Sequence, residues 1–443
     1  MKIKIPWAED EIELDLPENW EVQFLKNKET PPVITDLETY VTKKLDNPIE
    51  SPALSKKLNI IKEKDGNIMI VIDDRTRPTP VSDIMPIIVK YLEDHDFPLE
   101  KCELIVGLGI HRLMEPEEIE KRVTSEVYNK IKCYNHLVDD ESTLKEMGTI
   151  SDDIPVVINK NVAEADLVIS ISTIESHGQA GFGGGLKNII PGVAGRATIN
   201  PVHDMKYLSK TRMGEPGSLK KDNQMRQLID ECALKGTKDV FLINTVLNVN
   251  KPIEIITGDP LSAHKRGVDM IRGLFGHKLE DLADIVITDS HPLDADFRAG
   301  SKSISNSLNA CRKGGVVISI MRALEGWGDV TVPDISKLKG WILRNFPLGF
   351  VGKAISKAAG SPDQSGGTFD MVKLCRFMNP HLYAPSITDN EPLLNLGFKM
   401  FPDKDRLIQS VQDHFTKKKG PDAKLKCVVM PFGAITFPLP PEN

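Results

Sequence analysis

Along the chain, short continuous apolar runs alternate with longer stretches in which apolar residues recur every three or four positions. The runs NIMIVI (67–72), CELIVGLG (102–109), ADLVISIS (165–172), DVFLINTVL (239–247), ADIVIT (283–288) and GGVVISI (314–320) read as buried strands, because a strand covered on both faces has no polar side to alternate with. Between them, PVSDIMPIIVKYLEDH, EPEEIEKRVTSEVYNKI, LKKDNQMRQLIDECAL, SAHKRGVDMIRGLF and SISNSLNACRK carry i, i+3, i+4 apolar spacing and read as amphipathic helices. This alternation predicts an α/β fold. At 443 residues the chain exceeds what one core usually fills. Two layered α/β domains are therefore expected, 1–275 and 276–443, with the active site in the cleft between them. The break is placed where the helix ending GLFGHK gives way to LEDLADIVITDSHPLD. The stretch 330–370 reads as helical with proline and glycine breaks, and the closing run KCVVMPFGAITFPLP fits a return to either sheet.

Composition narrows the function. A formal net charge of −7 argues against an electrostatic grip on nucleic acid, since that grip needs clustered cations to displace phosphate counterions. The apolar runs are far shorter than a bilayer span. The opening MKIKIPWAEDEIELDL turns acidic at once and lacks the apolar core of a signal peptide, so a cytoplasmic protein is expected. The six cysteines are scattered with no CxxC, which fits reduced thiols rather than a disulfide frame or a zinc knuckle. Small-molecule chemistry is the reading that remains.

In parallel sheets, ligands sit outside the carboxyl ends of the strands, so candidate chemistry is sought in the loops that follow them. After NIMIVI, the stretch DDRTRPTP (73–80) sets a carboxylate beside two guanidiniums, a fork suited to phosphate or carboxylate; its structural alternative is a turn with surface ion pairs. After CELIVGLG comes His111, which alone fits a structural hydrogen-bonder as well as a catalyst. After ADLVISIS comes ESHGQAGFGGGLKNIIPGVAGRATINPVHD (175–204), with His177, Lys187 and His203 in one glycine-rich stretch. Its glycines let backbone amides approach a ligand closely, and LKNIIPG reads as a helix start that favours phosphate. It is not a Walker A motif, because Asn188 follows Lys187 where a serine or threonine is required, and no GxGxxG is present. His203 is a candidate metal ligand with Asp204 beside it. With no HExxH and no cysteine cluster, a metal would need donors from elsewhere. On the residues alone, two other readings stay open: a zinc hydrolase or lyase with His111, His177 and His203 as direct ligands, and a non-catalytic nucleotide- or phosphate-binding protein.

The segments DDRTRP, GIHR, ESHGQAGFGGGLKNIIPG and NPVHD, in that order and spacing, resemble the lactate racemase family of 2-hydroxy acid racemases and epimerases. The likeness extends more faintly to PLDADFRAGSK (292–302). What the resemblance implies is a nickel-pincer nucleotide, the Ni(II) complex of pyridinium-3,5-bisthiocarboxylate mononucleotide, joined to Lys187 through a thioamide. It implies His203 as the protein ligand to nickel, with the other donors, two sulfurs and a ring carbon, coming from the nucleotide. It also implies that Asp74, Arg75, Thr76 and Arg77 line the cofactor, that His111 and His177 are the acid/base pair, and that Lys302, assisted by Arg77, binds the substrate carboxylate. Cofactor-making enzymes are the implied partners.

The implied hydride chemistry has a physical rationale. Removing C2–H as a proton beside an ionised carboxylate faces a mismatch of about 15 pKa units against imidazole, or about 20 kcal/mol. Loss of hydride avoids that carbanion, and one histidine per face then serves both enantiomers. The sequence departs from the family where substrate is met: Ala299 stands where a glutamine is usual, with Arg298 beside it, while Ile110 and Leu113 replace a common threonine and proline. A substrate not limited to lactate is expected, with Arg298 offering a second carboxylate contact.

Overall fold

The chain opens with an antiparallel hairpin of β1 (Lys2–Trp7) and β2 (Asp10–Asp15), followed by β3 (Trp20–Phe24). The computed structural model describes residues 1–7, 10–204, 223–328, 335–352 and 362–439, with 362–367 described by backbone only. The first apolar runs become β4 (Ile68–Asp73) and β5 (Cys102–Gly107). After β6 (Lys132–Asn135), an antiparallel ladder of β7 (Leu144–Ile150) and β8 (Ile154–Asn159) leads to β9 (Leu167–Thr173). A minimal hairpin, β10 (Ser176–His177) with β11 (Gly181–Phe182), precedes β12 (Val240–Asn248) and β13 (Lys251–Gly258). The first large sheet runs β13-β12-β9-β4-β5-β6 and is parallel except for β13.

The second lobe uses β14 (Gly276–His277), β15 (Ala283–Asp289), β16 (Cys311–Ile320), β17 (Asn379–Tyr383), β18 (Lys399–Met400), β19 (Leu425–Met430) and β20 (Phe437–Pro438). Its sheet runs β18-β17-β16-β15-β19-β3 and is parallel throughout. Every residue of β4, β9 and β15 is buried, as strands covered on both faces require. One face of the first sheet packs Ile70, Ile72 and Leu104 on Ile84 and Ile88 of the helix Val81–Asp94. The other packs Val71 and Ile105 on Ile189 and on Ile229 of the helix Gln224–Gly236. The second sheet sets Val286 and Val317 against Phe297 and Ile304 on one face. On its other face, Ile287 and Ile318 meet Ile3, Leu14 and Val411.

Several expectations are corrected. The opening strands do not belong with the first sheet: Trp20 pairs with Leu425 and Phe24 with Val429. The hairpin packs Ile3, Ile5 and Leu14 on the second sheet. The reason is edge chemistry: in WEVQF the buried Trp20 and half-buried Val22 and Phe24 alternate with exposed Glu21 and Gln23, and a strand covered on one face suits an open edge, here that of β19. In the closing run, β19 stays in the second sheet, while β20 pairs with β14. Phe437 lies edge-on to Phe182 of the first lobe at 6.1 Å. The stretch EPEEIEKRVTSEVYNKI breaks at Thr124 into helices Pro116–Val123 and Ser125–Lys130. The helix read at SISNSLNACRK starts earlier, as Phe297–Asn306, and gives way to strand by Cys311. Of 330–370, the described portions include helices Lys337–Asn345 and Pro362–Phe377. Residues 219–222, 329–334 and 353–361 lie outside the described residues. No described helix is long and apolar enough to cross a membrane.

The topology places the site. From β4 the chain moves to β5 and β6 on one side, whereas from β9 it moves to β12 and β13 on the other. The loops after β4 and β9 therefore diverge and leave a crevice at their carboxyl ends.

Candidate functional site

The loop after β4 turns back on itself, with Asp74 Oδ1 accepting from the Thr76 amide at 2.7 Å. Its other oxygen accepts from His111 Nδ1 at 2.6 Å, reaching across from the loop after β5. Burial alone would push the Asp74 carboxyl up; the hydrogen bond from His111 and the charge of Arg77 overcome this and hold it well below the ordinary carboxylate range. With its hydrogen on Nδ1, His111 keeps its lone pair on Nε2. There it accepts from the Arg298 guanidinium at 2.9 Å, from the opposite lobe.

Glu175, just past β9, is the second anion of the cleft. Arg77 lies 3.2 Å from its Oε1, and Lys302 lies 2.7 Å from its Oε2. Burial favours the acid form of Glu175, but these two cations keep it ionised and its pKa below normal. Lys302 is pushed down from the ordinary lysine value by burial, with Glu175 opposing and Arg77 and Arg298 adding to the shift. Arg298 and Lys302 lie four residues apart on the helix Phe297–Asn306, hence on one face. Asp296 caps that helix by accepting from the Ala299 amide at 2.7 Å. Ala299 thus serves the helix start through its backbone.

The glycine-rich stretch does not open the helix expected at LKNIIPG. Gly185–Asn188 is a single 3-10 turn, and the next helix is Arg196–Val202. Gly184 and Gly185 have φ of +71° and +61°, conformations that side-chain-bearing residues avoid. A Cβ on Gly185 would also meet His264 Cγ at 2.8 Å. The turn is clamped from behind: Asn244 Oδ1 accepts from the Gly185 amide at 3.0 Å, and His264 Nε2 donates to Gly183 O at 2.9 Å. His264 Nδ1 accepts in turn from Arg226 at 3.1 Å. Asn188 pins the turn to β9 by donating to Ile171 O at 2.7 Å. Lys187 is thereby half-buried, with Nζ 3.0 Å from His177 Nε2.

Of the remaining residues predicted from sequence, Arg75 turns to the rim, where its Nε lies 3.6 Å from Glu118. Thr76 Oγ1 is buried without a hydrogen-bond partner. His203 ends the helix Arg196–Val202, with Nδ1 2.9 Å from Ile199 O, and its charge bears on His177. The structure thus brings Asp74, Arg77, His111, His177, Lys187, Arg298 and Lys302 to one cleft. It does not assemble His111, His177 and His203 as a metal cage: among the described residues no group of three or more His, Cys, Asp or Glu is placed to hold a metal. Trp327 packs, edge-on to Phe297 at 5.0 Å and donating to Asp389 O.

Sequence reasoning missed Glu175, the Arg226–His264–Asn244 clamp, and Asp370, which accepts from Gln179 at 2.9 Å across the lobes. Glu175 had a signal, because it opens the same glycine-rich segment after a strand. The clamp had none, since its members come from separate elements far along the chain.

The fold and the cleft define a two-lobed α/β protein whose charged groups converge from opposed strand ends. Residues 7–214 match the model of the lactate racemase N-terminal domain. The chain is 32% identical to the lactate racemase of Lactiplantibacillus plantarum over 291 residues, 65% of this chain and 66% of that protein, just under two thirds of its length. It is 26% identical to the lactate racemase of Thermoanaerobacterium thermosaccharolyticum over 329 residues, covering 74% of this chain and 75% of that one. In structure it is similar to the lactate racemase apoprotein from Thermoanaerobacterium thermosaccharolyticum, with a TM-score of 0.79 at 21% identity, covering 99% of this chain and all of that one. A Thermotoga maritima protein matches at a TM-score of 0.58 and 16% identity, over 85% of this chain and 97% of that one. The chain belongs to the lactate racemase family.

Proposed function

We propose that this protein inverts C2 of a 2-hydroxy acid, with a nickel-pincer nucleotide tethered at Lys187. The observation that carries the proposal is the Asp74–His111–Arg298 chain at the lobe boundary. It presents an imidazole with its hydrogen fixed on Nδ1 and its lone pair on Nε2, beside cations able to take a carboxylate.

The chain's residues fit such a group. The bond from His203 Nδ1 to Ile199 O fixes the tautomer with the lone pair on Nε2, the form in which imidazole binds a metal. The absence of a protein donor cluster among the described residues accords with a metal that draws most donors from its own nucleotide. Thr76 Oγ1 and Ser176 Oγ are buried polar atoms with bonds still to make beside these loops. Lys187 would tether the group, His203 would hold the metal, and the loop of Asp74, Arg75, Thr76 and Arg77 would line it. When bound, the group supplies a reversible hydride acceptor.

The protein's own part follows from its hydrogen bonds. His111 Nε2 takes the substrate hydroxyl proton as C2 flattens, and Asp74 stabilises the imidazolium that results. His177, the second histidine of the pair, would serve the other enantiomer once Nε2, which carries the ring hydrogen while Nδ1 accepts from the Gln179 and Ala180 amides, has given that hydrogen up. Lys302 and Arg77, now sharing Glu175, bind the C1 carboxylate. Arg298 must leave Nε2 when a hydroxyl arrives there, and a second carboxylate on the substrate would receive it. A 2-hydroxy dicarboxylic acid is therefore favoured over lactate alone.

The test is to co-produce the chain with cofactor-making enzymes and nickel, then to measure intact mass, metal content and inversion of enantiopure hydroxy acids by chiral chromatography. The expected result is a mass increase and stoichiometric nickel, with the mass increase lost in Lys187→Ala, together with inversion of at least one acid. A matured sample with neither nickel nor adduct, or one holding stoichiometric zinc, would overturn the proposal.

A further inference from the structure

The His177 ring is held by two kinds of partner whose demands are linked. The backbone N–H groups of Gln179 and Ala180 both point at Nδ1, each at 3.2 Å. Nδ1 is therefore the acceptor, and a neutral ring carries its hydrogen on Nε2. Nε2 lies 3.0 Å from Lys187 Nζ. An ammonium there would set donor against donor, because it has no lone pair to accept with, whereas an amine accepts. The backbone turn after His177 thus dictates the state of the lysine opposite.

We infer that His177 serves Lys187 before it serves any substrate: its Nε2–H, oriented by the Gln179 and Ala180 amides, holds Lys187 as an uncharged amine poised to attack an electrophilic carbon. The surroundings agree from every side. Burial and the positive charges of Arg77, Arg226 and Lys302 push Lys187 well below the ordinary lysine value, with Glu175 opposing. Burial pushes His177 down as well, and the charges of Arg77, Lys302 and His203 add to it. Releasing one neutral hydrogen bond to free the lone pair costs about tenfold. An ordinary lysine is more than about a thousandfold disfavoured as an amine at pH 7. The held amine is the more reactive of the two.

A second consequence orders the two roles of His177. Once Nζ carries an acyl-type carbon, its lone pair is delocalised and no longer accepts. The bond to Nε2 is lost, and His177 is released towards the cleft. This role depends on the tethering proposed above, but the state of the amine does not. A reactive Lys187 in a chain that never acquires an adduct would sink the tether and leave this inference standing. An adduct on a chain whose Lys187 behaves as an ordinary lysine would do the reverse.

The experiment uses the full unloaded chain and the N-hydroxysuccinimide ester of acetic acid. The Nζ–C bond forms, the C–O bond to N-hydroxysuccinimide breaks, N-hydroxysuccinimide leaves as its oxyanion, and the proton lost from Nζ goes to the buffer. Pulses across a pH series, read by peptide mass spectrometry, give a rate profile for Lys187 and for the exposed Lys64, Lys121 and Lys313 as references. Access scales a rate but does not move its pH midpoint, so the midpoint is the readout. The expected result is a Lys187 midpoint at least about two pH units below the references. His177→Phe should raise that midpoint by about one unit or more and lower the rate at pH 7 by about tenfold. His177→Gln, whose amide can still donate, should restore most of the difference. A wild-type Lys187 profile that superimposes on the references overturns the inference, with or without a folded His177→Phe. So does a His177→Phe profile identical to wild type.

Discussion

The first-lobe loops and the second-lobe helix Phe297–Asn306 face the same cleft but hold their side chains by opposite means. In the first lobe each candidate group is gripped by a neighbour of its own lobe: His111 by Asp74, Lys187 by His177, Arg77 by Glu175. The helix offers Arg298 and Lys302, whose partners His111 and Glu175 lie across the boundary. Groups held within one lobe do not depend on the lobe boundary for their partners. Those that reach across depend on how the lobes meet. Of the departures from the family pattern, Ala299, beside Arg298, lies on the reaching side, whereas Ile110 and Leu113 flank His111 in the first lobe.

The largest effect should come from unlocking the first lobe. Asp74→Asn replaces the acceptor at His111 Nδ1 with a group that can turn a donor towards it, which favours the wrong tautomer. A loss of about 10²-fold or more in kcat is expected for the loaded enzyme, with KM little changed. The substitution should also flatten the acid limb of stability. A carboxylate held below its ordinary range stabilises the fold above the unfolded value near 4, and that contribution fades as pH falls through its folded value. Urea midpoints between about pH 3 and 7 would show this. Unchanged turnover would mean that the imidazole is not held by Asp74 in the working state.

A smaller, substrate-dependent effect should follow on the reaching side. Arg298→Gln should lower kcat/KM for a 2-hydroxy dicarboxylic acid by about 10- to 100-fold, the range for losing a charge-assisted bond. For a monocarboxylic acid the change should stay within about threefold, because Lys302 and Arg77 still meet C1. An equal loss for both classes would place Arg298 on the shared carboxylate or on the histidine itself.

The same division governs what could be read in advance. The buried parallel strands were visible because they are continuous apolar runs, and the locked residues were visible because each motif is contiguous in sequence. β3 was not, since five alternating residues say nothing of an edge offered by a strand some four hundred positions later. The turn at Gly185–Asn188 was mistaken for a helix start because its apolar residues and following proline mimic one. The positive-φ glycines at the entry to the turn are held by Arg226, His264 and Asn244, and Pro191 follows too closely for a regular helix to run on. Those three come from distant elements, and only tertiary structure brings them to the turn. Glu175 was in plain view, but its role as the carboxylate shared by Arg77 and Lys302 exists only once the lobes meet.

The smallest effect separates the two sides by stability alone. Burial and the neighbouring positive charges hold Lys187 below its ordinary value; in the amine state inferred above, the folded chain lacks a proton there that the unfolded chain binds near neutral pH. Unfolding takes up that proton, and stability therefore rises with pH until the unfolded value near 10.4 is passed. Lys187→Met removes the penalty and fills a half-buried site with an apolar chain, so the unloaded protein should melt about 1–2 °C higher at pH 7. The gain should shrink towards pH 10. Lys302→Met should act with the opposite sign at pH 7, because it leaves the buried Glu175 with Arg77 as its remaining ion-pair partner. Calorimetry of the two variants side by side decides the matter. If both destabilise alike, Lys187 is an ordinary cation in an ordinary network, and the first lobe is not preorganised at the expense of stability.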